Sequence, residues 1–502
     1  MADLLLHAVA VLFQPLNLLI LVAAVVGGTL AGAAPGLTST MAIGLLVPIT
    51  FTMPTESALI LLFGVYCGGL YGGAITAILL NIPGSPTSVV TALDGYPMTR
   101  QGEGGKAIAI ATLSSTLGGI ISCVVLIFLS LQLSRLVIYF GSPEYMALGI
   151  FASAVVFSLS GDSVLKGFIA VCIGFLIATI GIDPTAMHPR FTFGITEIQI
   201  GIPEIPAIIG LFCVSEAFRM VDQATGKPIA QKAVSGLRSA IGLLPRLWPT
   251  ITKSGLIGCF VGILPGIGAL AASYLAYAEA RRSSRHPERF GKGAPEGVAA
   301  SEAANNGVTG GAMVPVLSFG IPGDTNTLLI LGAMAIQGIA PGPALFRENQ
   351  DIVFLIFGSL ILANLLLLPV GLMLARYIAK AAVIPVRYLL PTVAVLAITG
   401  ASIGYGHIYY FWISIIFGLL GYVLQRGGFP LLPVAMALIL GPMVERNLRS
   451  SLMLPDASVE MFLTRPVCAA LLVMSVVVVV VRLVGARRLR AAEARTEPGP
   501  GA

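Results

Sequence analysis

The stretch NIPGSPTS, residues 81–88, breaks a long apolar run with Ile-Pro-Gly and then presents a cluster of hydroxyls; GIPGDTNT, residues 320–327, does the same 239 residues later. Proline removes a backbone donor and clashes with the preceding turn, while glycine lets the chain turn and admits close backbone approach. The runs broken in this way are long enough to cross a bilayer. Uncharged stretches extend for 52 residues from Leu4 to Thr55, 37 from Ser57 to Leu93 and 28 from Ala107 to Ser134. About 20 apolar residues suffice for a spanning helix. With 56% hydrophobic and 10% charged residues among 502, the chain reads as an all-α polytopic membrane protein. Further runs at 352–375, 388–425, 427–444 and 466–481 bring the expected total to about eleven to thirteen spanning or re-entrant segments.

Several function classes fall away on composition. The net charge of +6 arises from 29 basic and 23 acidic residues distributed between the apolar runs, a pattern that orients loops rather than binding nucleic acid. Met1-Ala2-Asp3 lacks a basic n-region, so no cleavable signal peptide is expected. QGEGGKAI, 101–108, lacks the hydroxyl residue that a phosphate-binding loop places after lysine. LPGIGALA, 264–271, fits the letters of a dinucleotide fingerprint but lies inside an uncharged membrane stretch without a preceding strand. Cys67, Cys123, Cys172, Cys213, Cys259 and Cys468 form no CxxC pair and read as small buried side chains; His7, His188, His286 and His407 make no ligand spacing. No cofactor or structural metal is expected, and no catalytic constellation appears.

Three landmarks recur in order: Pro35-Gly36 and Pro265-Gly266, Gly72-Gly73-Ala74 and Gly310-Gly311-Ala312, Ile82-Pro83-Gly84 and Ile321-Pro322-Gly323. The chain therefore divides into a first membrane repeat at 1–218, a basic cytoplasmic connection at 219–253, a second repeat at 254–464, and a last helix with a basic tail at 465–502. Duplicated halves with Gly/Pro-interrupted segments in matching places point to a secondary transporter with its site near the midplane.

Charge suggests how the second Pro-Gly is disposed. Arg219, Lys227, Lys232, Arg238, Arg246 and Lys253 precede it and Arg281, Arg282, Arg285, Arg289 and Lys292 follow it, placing both flanks in the cytoplasm. A re-entrant hairpin over Ser254–Ala278 satisfies both, with about 12 residues or roughly 18 Å per arm. Around Pro35 no Lys or Arg occurs from residue 4 to 55, which fits a hairpin entering from the opposite face and hence an inverted repeat. The C-terminal Arg482, Arg487, Arg488, Arg490 and Arg495 place the tail in the cytoplasm by the same bias.

Backbone that is not helical at membrane depth needs polar company, so it lines cavities. The helix starts that follow each break offer free N–H groups and a positive dipole end suited to an anion. The expected substrate site combines Gly36, Thr38 and Ser39 at the first tip with Gly84, Ser85 and Thr87 after the first Ile-Pro-Gly. Gly266 and Gly268 at the second tip join Gly323, Thr325 and Asn326 after the second. Asn305, Asn306 and Asp324 are expected to supply oxygen to a coupling Na⁺, with Asp324 also able to cap its helix. No Lys or Arg falls inside either motif, so an anionic substrate depends on dipoles, hydroxyls and a co-bound cation. The residues by themselves leave a channel or ion-only exchanger, and an intramembrane enzyme, as rival readings.

YGGAITAILLNIPGSPTSVVTALDGYPMTRQGEGGKA (71–107) and HPERFGKGAPEGVAASEAANNGVTGGAMVPVLSFGIPGDTNTLLILGAMAIQGIAPGPALF (286–346), with LPGIGA at 264–269, resemble the large membrane subunit of bacterial tripartite tricarboxylate transporters. The resemblance implies a binding-protein-dependent secondary transporter of the inner membrane, not an enzyme. It implies a small membrane subunit and a periplasmic substrate-binding protein as partners, and import of tricarboxylates or related carboxylates with Na⁺ or H⁺. Motif positions carry onto Pro35-Gly36, Asn81 to Ser85, Pro265 to Gly268, Asn305-Asn306 and Ile321 to Asp324, and so add Asn81 to the substrate set. Where that family commonly has a bulkier apolar pair before the first Pro-Gly, this chain has Ala33-Ala34. Another small organic anion is the alternative cargo.

Overall fold

The structure is a computed structural model that describes residues 2–34, 36–136, 139–159, 163–183, 186–221, 237–342, 344–381, 394–400, 402, 406–454 and 460–496. Pro35, Lys227 and Lys232 lie outside the described residues. The helices are α1 Ala2–Leu12, α2 Pro15–Ala33, α3 Ser39–Thr50, α4 Thr55–Leu80, α5 Val89–Arg100, α6 Gly104–Leu136, α7 Ser142–Leu159, α8 Val164–Ala178, α9 Glu204–Ile209 and α10 Ser215–Val221. They continue with α11 Leu237–Ile263, α12 Gly268–Ser283, α13 Pro295–Phe319, α14 Thr325–Ile336, α15 Leu345–Glu348, α16 Gln350–Ala381, α17 Ile408–Arg426, α18 Leu431–Leu452, α19 Met461–Thr464 and α20 Pro466–Thr496. Seven of these (α2, α4, α6, α16, α17, α18 and α20) are long and apolar enough to cross a membrane, and α3, α7, α8 and α14 are shorter apolar helices. The protein is a multi-pass, all-α membrane protein.

Two compact units form, one from Met1–Ile138 with Ile208–Leu419 and the other from Tyr139–Ala207 with Leu420–Ala502. Each unit draws on both sides of the basic connection, whereas the repeats read from sequence are consecutive blocks. The first unit is built around α4 and α13, whose side chains are buried almost without interruption from Ser57 to Leu79 and from Gly297 to Ser318. A helix enclosed on every side has no polar face, so burial is spread around the whole helix. α2 packs along α4, α11 along α13, and α6 and α16 complete the enclosure.

The second unit packs α7, α8, α18 and α20 together. A short antiparallel ribbon pairs Gly181 with Arg190 and Ile182 with Pro189. Asp183, Arg190, Glu445 and Arg449 form an ion-pair network there, with Arg190 Nη1 2.6 Å from Glu445 Oε1 and Arg449 Nη2 2.8 Å from Asp183 Oδ2. All six cysteines are free; five are buried as expected, but Cys172 is exposed on α8.

The flanks of the second Pro-Gly differ from the sequence expectation. α11 begins at Leu237 and runs 27 residues to Ile263, so the first arm is far longer than the dozen residues read from Ser254. Arg246 and Lys253 are spaced by 7 residues, about two helical turns, and thus share one face without ending the helix. Charge marks a loop only where it surrounds the chain; on one stripe it is compatible with a continuing helix.

Candidate functional site

Both Ile-Pro-Gly breaks have the same backbone construction. α4 ends on Asn81 at φ 56° and α13 on Gly320 at φ 70°, both left-handed. Asn81 N donates to Ala77 O at 3.2 Å and Ile82 N to Thr76 O at 3.4 Å; Gly320 N donates to Val316 O at 2.9 Å and Ile321 N to Pro315 O at 3.2 Å. This left-handed stop satisfies carbonyls that the ending helix would orphan, and the proline that follows prevents continuation. Asn and Gly are the residues that tolerate this conformation best. The Asn81 side chain is exposed, so this residue shapes the site through its backbone.

The helix that precedes each Pro-Gly then packs on the helix that precedes each Ile-Pro-Gly in matching fashion. A Cβ on Gly28 would lie 2.6 Å from the Val65 oxygen, and one on Gly258 2.2 Å from that of Ala304. A Cβ on Gly72 would lie 2.1 Å from the Thr29 oxygen, and one on Gly311 2.1 Å from the Cys259 oxygen. A Cβ on Gly84 would lie 2.1 Å from the Gly32 oxygen, and one on Gly323 2.7 Å from the Gly262 oxygen. In every pair the residues on α4 and α13, or in their breaks, are 239 positions apart, and those on α2 and α11 are 230 apart. These are the offsets of the two Ile-Pro-Gly and the two Pro-Gly motifs. At the second tip Gly266 has φ 88° and its N donates to Gly323 O at 2.9 Å, tying the tip to the break; Gly36 and Gly268 are also left-handed, at φ 86° and 72°.

Across the two halves, the start of α3 meets the start of α14. Ser39 Oγ donates to Asn326 Oδ1 at 3.0 Å, Thr40 Oγ1 donates to the same oxygen at 3.0 Å, and Thr40 Oγ1 lies 2.9 Å from Thr325 Oγ1. Thr38 caps α3 by accepting from Met41 N at 3.2 Å. Asp324 caps α14 in a reciprocal box: Thr327 N donates to its Oδ1 at 2.8 Å and Asp324 N donates to Thr327 Oγ1 at 2.9 Å. Tyr66, in the middle of α4, donates to Asp324 Oδ2 at 3.0 Å. One amide at the start of α14 is thus already engaged by a carboxylate of the chain itself.

The other break differs. Ser85 precedes a short 3₁₀ turn, Pro86–Ser88, and makes no side-chain cap bond; its Oγ lies 2.8 Å from Thr87 Oγ1 and 3.0 Å from Ser88 Oγ. Ser85 is buried and Thr87 half-buried. A Cβ on Gly73 would touch Ser85 and Ser88, and one on Gly69 would lie 2.8 Å from Ser39 Cβ. The middle of α4 therefore lies against both the first tip and the first break, and through Tyr66 reaches Asp324.

Asn305 and Asn306 are fully buried on α13 and face different neighbours. Asn305 Nδ2 donates to Leu70 O at 2.9 Å, and Asn306 Nδ2 to Asn364 Oδ1 at 3.4 Å. Each leaves its Oδ1 without a hydrogen-bond partner. Asp324 is engaged with Tyr66, Thr327 and Asn326, and none of its hydrogen bonds reaches either asparagine. Sequence reasoning missed Tyr66 and Asn364, whose partners lie 258 and 58 residues away; no local spacing signals either.

The sequence profile of the Tripartite tricarboxylate transporter TctA family matches residues 18–436. An uncharacterized 52.8 kDa protein in the TAR-I ttuC′ 3′ region of Agrobacterium vitis is 36% identical over 469 residues, covering 93% of each chain. A second Agrobacterium vitis protein, from the TAR-II ttuC′ 3′ region, is 35% identical over 226 residues, 45% of this chain and 93% of its own. An uncharacterized protein of Methanocaldococcus jannaschii is 28% identical over 196 residues, 39% of this chain and 48% of its own. No solved structure matches.

Proposed function

Because the chain belongs to the tripartite tricarboxylate transporter TctA family, a transporter family, we propose that it is the large transport subunit of a binding-protein-dependent secondary transporter. It imports tricarboxylates or related carboxylates, coupled to Na⁺ or H⁺, with a small membrane subunit and a periplasmic binding protein as partners. Its place is the bacterial inner membrane. The observation that carries this reading is the junction of Ser39, Thr40, Thr325 and Asn326 beside Asp324, which brings two interrupted helices to one polar point inside an apolar unit.

The chemistry supports an acid as cargo. Hydroxyls at Thr38, Ser39, Ser85, Thr87 and Thr325, and the Asn326 amide, are donors for carboxylate oxygens, while Gly36, Gly84, Gly266, Gly268 and Gly323 keep side chains away from the breaks. Asp324 would repel a bound carboxylate, so the site needs a cation in the same cycle. Oxygens of Asn305, Asn306 and Asp324 are the proposed donors to it.

Two halves in inverted orientation are part of the proposal; the paired contacts at offsets of 230 and 239 support the duplication, and the inversion rests on the charge pattern of the flanks. Alternating access follows as rigid movement of the unit that carries both breaks. Thiol labelling of Leu37→Cys and Ile267→Cys in intact cells tests the inversion. Reactivity from opposite faces is the expected result; reactivity of both from one face would exclude it.

Uptake tests the function. Proteoliposomes holding the chain and its small partner should accumulate labelled citrate or another di- or tricarboxylate only with the binding protein present and an imposed Na⁺ or H⁺ gradient. Gradient-independent flux without a binding protein would favour an ion channel instead.

A further inference from the structure

A groove on the outer face of the first unit combines a long apolar wall with a cation at one end. It is a cavity of about 460 Å³ between α6 and α16. On α6, Val124, Phe128, Leu131 and Arg135 line it at spacings of 4, 3 and 4 residues, which places them on one helix face. Val124 and Phe128 are 58% and 68% exposed on a helix long and apolar enough to cross a membrane, so this face meets lipid. Toward the end of α6 the wall turns polar, with Gln132 beside Arg135. A Cβ on Gly119 would touch the Asn364 side chain, so α6 and α16 run antiparallel and the start of α16 lies beside the end of α6. α16 therefore adds Val353 to the apolar wall and its first residue, Gln350, to the polar end.

Charge and length together describe the occupant. Among the described residues Arg135 takes part in no ion pair. An arginine at the end of a spanning helix extends to the membrane interface, and its planar guanidinium matches the oxygens of a phosphate. From Val124 to Arg135 the stripe rises about 16 Å, close to half of the roughly 30 Å hydrocarbon thickness. One leaflet thus fits the apolar wall, with the cation at headgroup level. A spanning helix of a partner would need an apolar face of about 30 Å, and this wall ends in a charge well before that. The larger groove of the second unit, about 570 Å³ between α7, α8 and α20, has no charged or amide side chain in its lining and gives no such direction.

We propose that this groove binds a membrane phospholipid, with an acyl chain along Val124, Phe128 and Leu131 and the phosphate on Arg135 beside Gln132. Each buried methylene adds hydrophobic stabilisation, and the arginine adds attraction for the anionic group. α6 and α16 complete the enclosure of α4 and α13, so a lipid held between them stabilises the folded unit by binding. The site is independent of which cargo the protein carries and of the coupling ion.

The test titrates the purified, delipidated full chain in detergent with phosphatidylglycerol and, in a parallel arm, with diacylglycerol of the same chains. Native mass spectrometry counts retained lipid, and the melting temperature is read alongside. The wild type should retain phosphatidylglycerol saturably and more tightly than diacylglycerol. Arg135→Gln should raise the half-saturating phosphatidylglycerol concentration about fivefold and leave that of diacylglycerol unchanged. Val124→Trp, which fills the tail end of the groove, should weaken both. Arg347→Gln removes a nearby cation that does not line the groove and should keep the wild-type midpoint. Equal retention of the two lipids by the wild type, or an unaltered phosphatidylglycerol midpoint in Arg135→Gln, overturns the site. If Arg135→Gln does not fold, an unaltered midpoint in Val124→Trp overturns it. Loss of the small membrane subunit from Val124→Trp with lipid retention unchanged overturns it in favour of a partner helix.

Discussion

Gly311→Ala and Gly72→Ala are each expected to lower the melting temperature of the solubilised protein by roughly 6 to 12 °C. The added Cβ would sit 2.1 Å from the Cys259 and Thr29 oxygens respectively. Both obstacles are backbone, so relief requires two helices to separate along a shared buried face. Overpacking of this kind costs about 3 kcal/mol, and 1 kcal/mol corresponds to roughly 2–4 °C in a larger domain. Gly27→Ala, with nothing within 4 Å of its would-be Cβ, is the control and should melt no lower than wild type. Thermal unfolding monitored by size-exclusion chromatography reads all three. A drop at Gly311 without a comparable drop at Gly72 would break the equivalence of the α2–α4 and α11–α13 interfaces.

Replacing Asn326 by Leu should reduce initial uptake rates more than about tenfold. The amide oxygen accepts from both Ser39 and Thr40, and Nδ2 lies 3.4 Å from Asp324 Oδ2. Leucine fills a similar volume but offers no acceptor. Thr40 retains Thr325 as a partner, whereas Ser39 loses its acceptor in a buried place, at a cost of about 1–3 kcal/mol. Since about 1.4 kcal/mol is a factor of ten, a change felt at the junction is visible in the apparent KM. Wild-type uptake in Asn326→Leu, with normal expression, would remove the α3–α14 junction from the transport pathway.

Much of the site is legible in the chain's local chemistry. Asn81 and Gly320 precede the two Ile-Pro-Gly motifs and adopt the left-handed conformation that a helix stop requires, because proline and glycine act on their own backbone. Asp324 is read as able to cap its helix, and it does so through Thr327, since a cap needs only three residues of spacing. Elsewhere local rules mislead. Arg238, Arg246 and Lys253 read as loop charge but lie on α11, because a helix can carry charge on one stripe. Which segments pack into each compact unit is likewise decided by contacts between residues far apart in the chain.

Composition and local pattern suffice to say that the chain spans a membrane, where its helices must break and which polar groups accompany each break. Apolar content, proline and glycine act over a few residues and need no distant partner to do so. That Ser39 meets Asn326 and that Tyr66 reaches Asp324 are consequences of tertiary packing alone. Those pairings come from the close approach of α4 and α13 to their neighbours, where small side chains let distant backbones come together and so choose which polar atoms face each other.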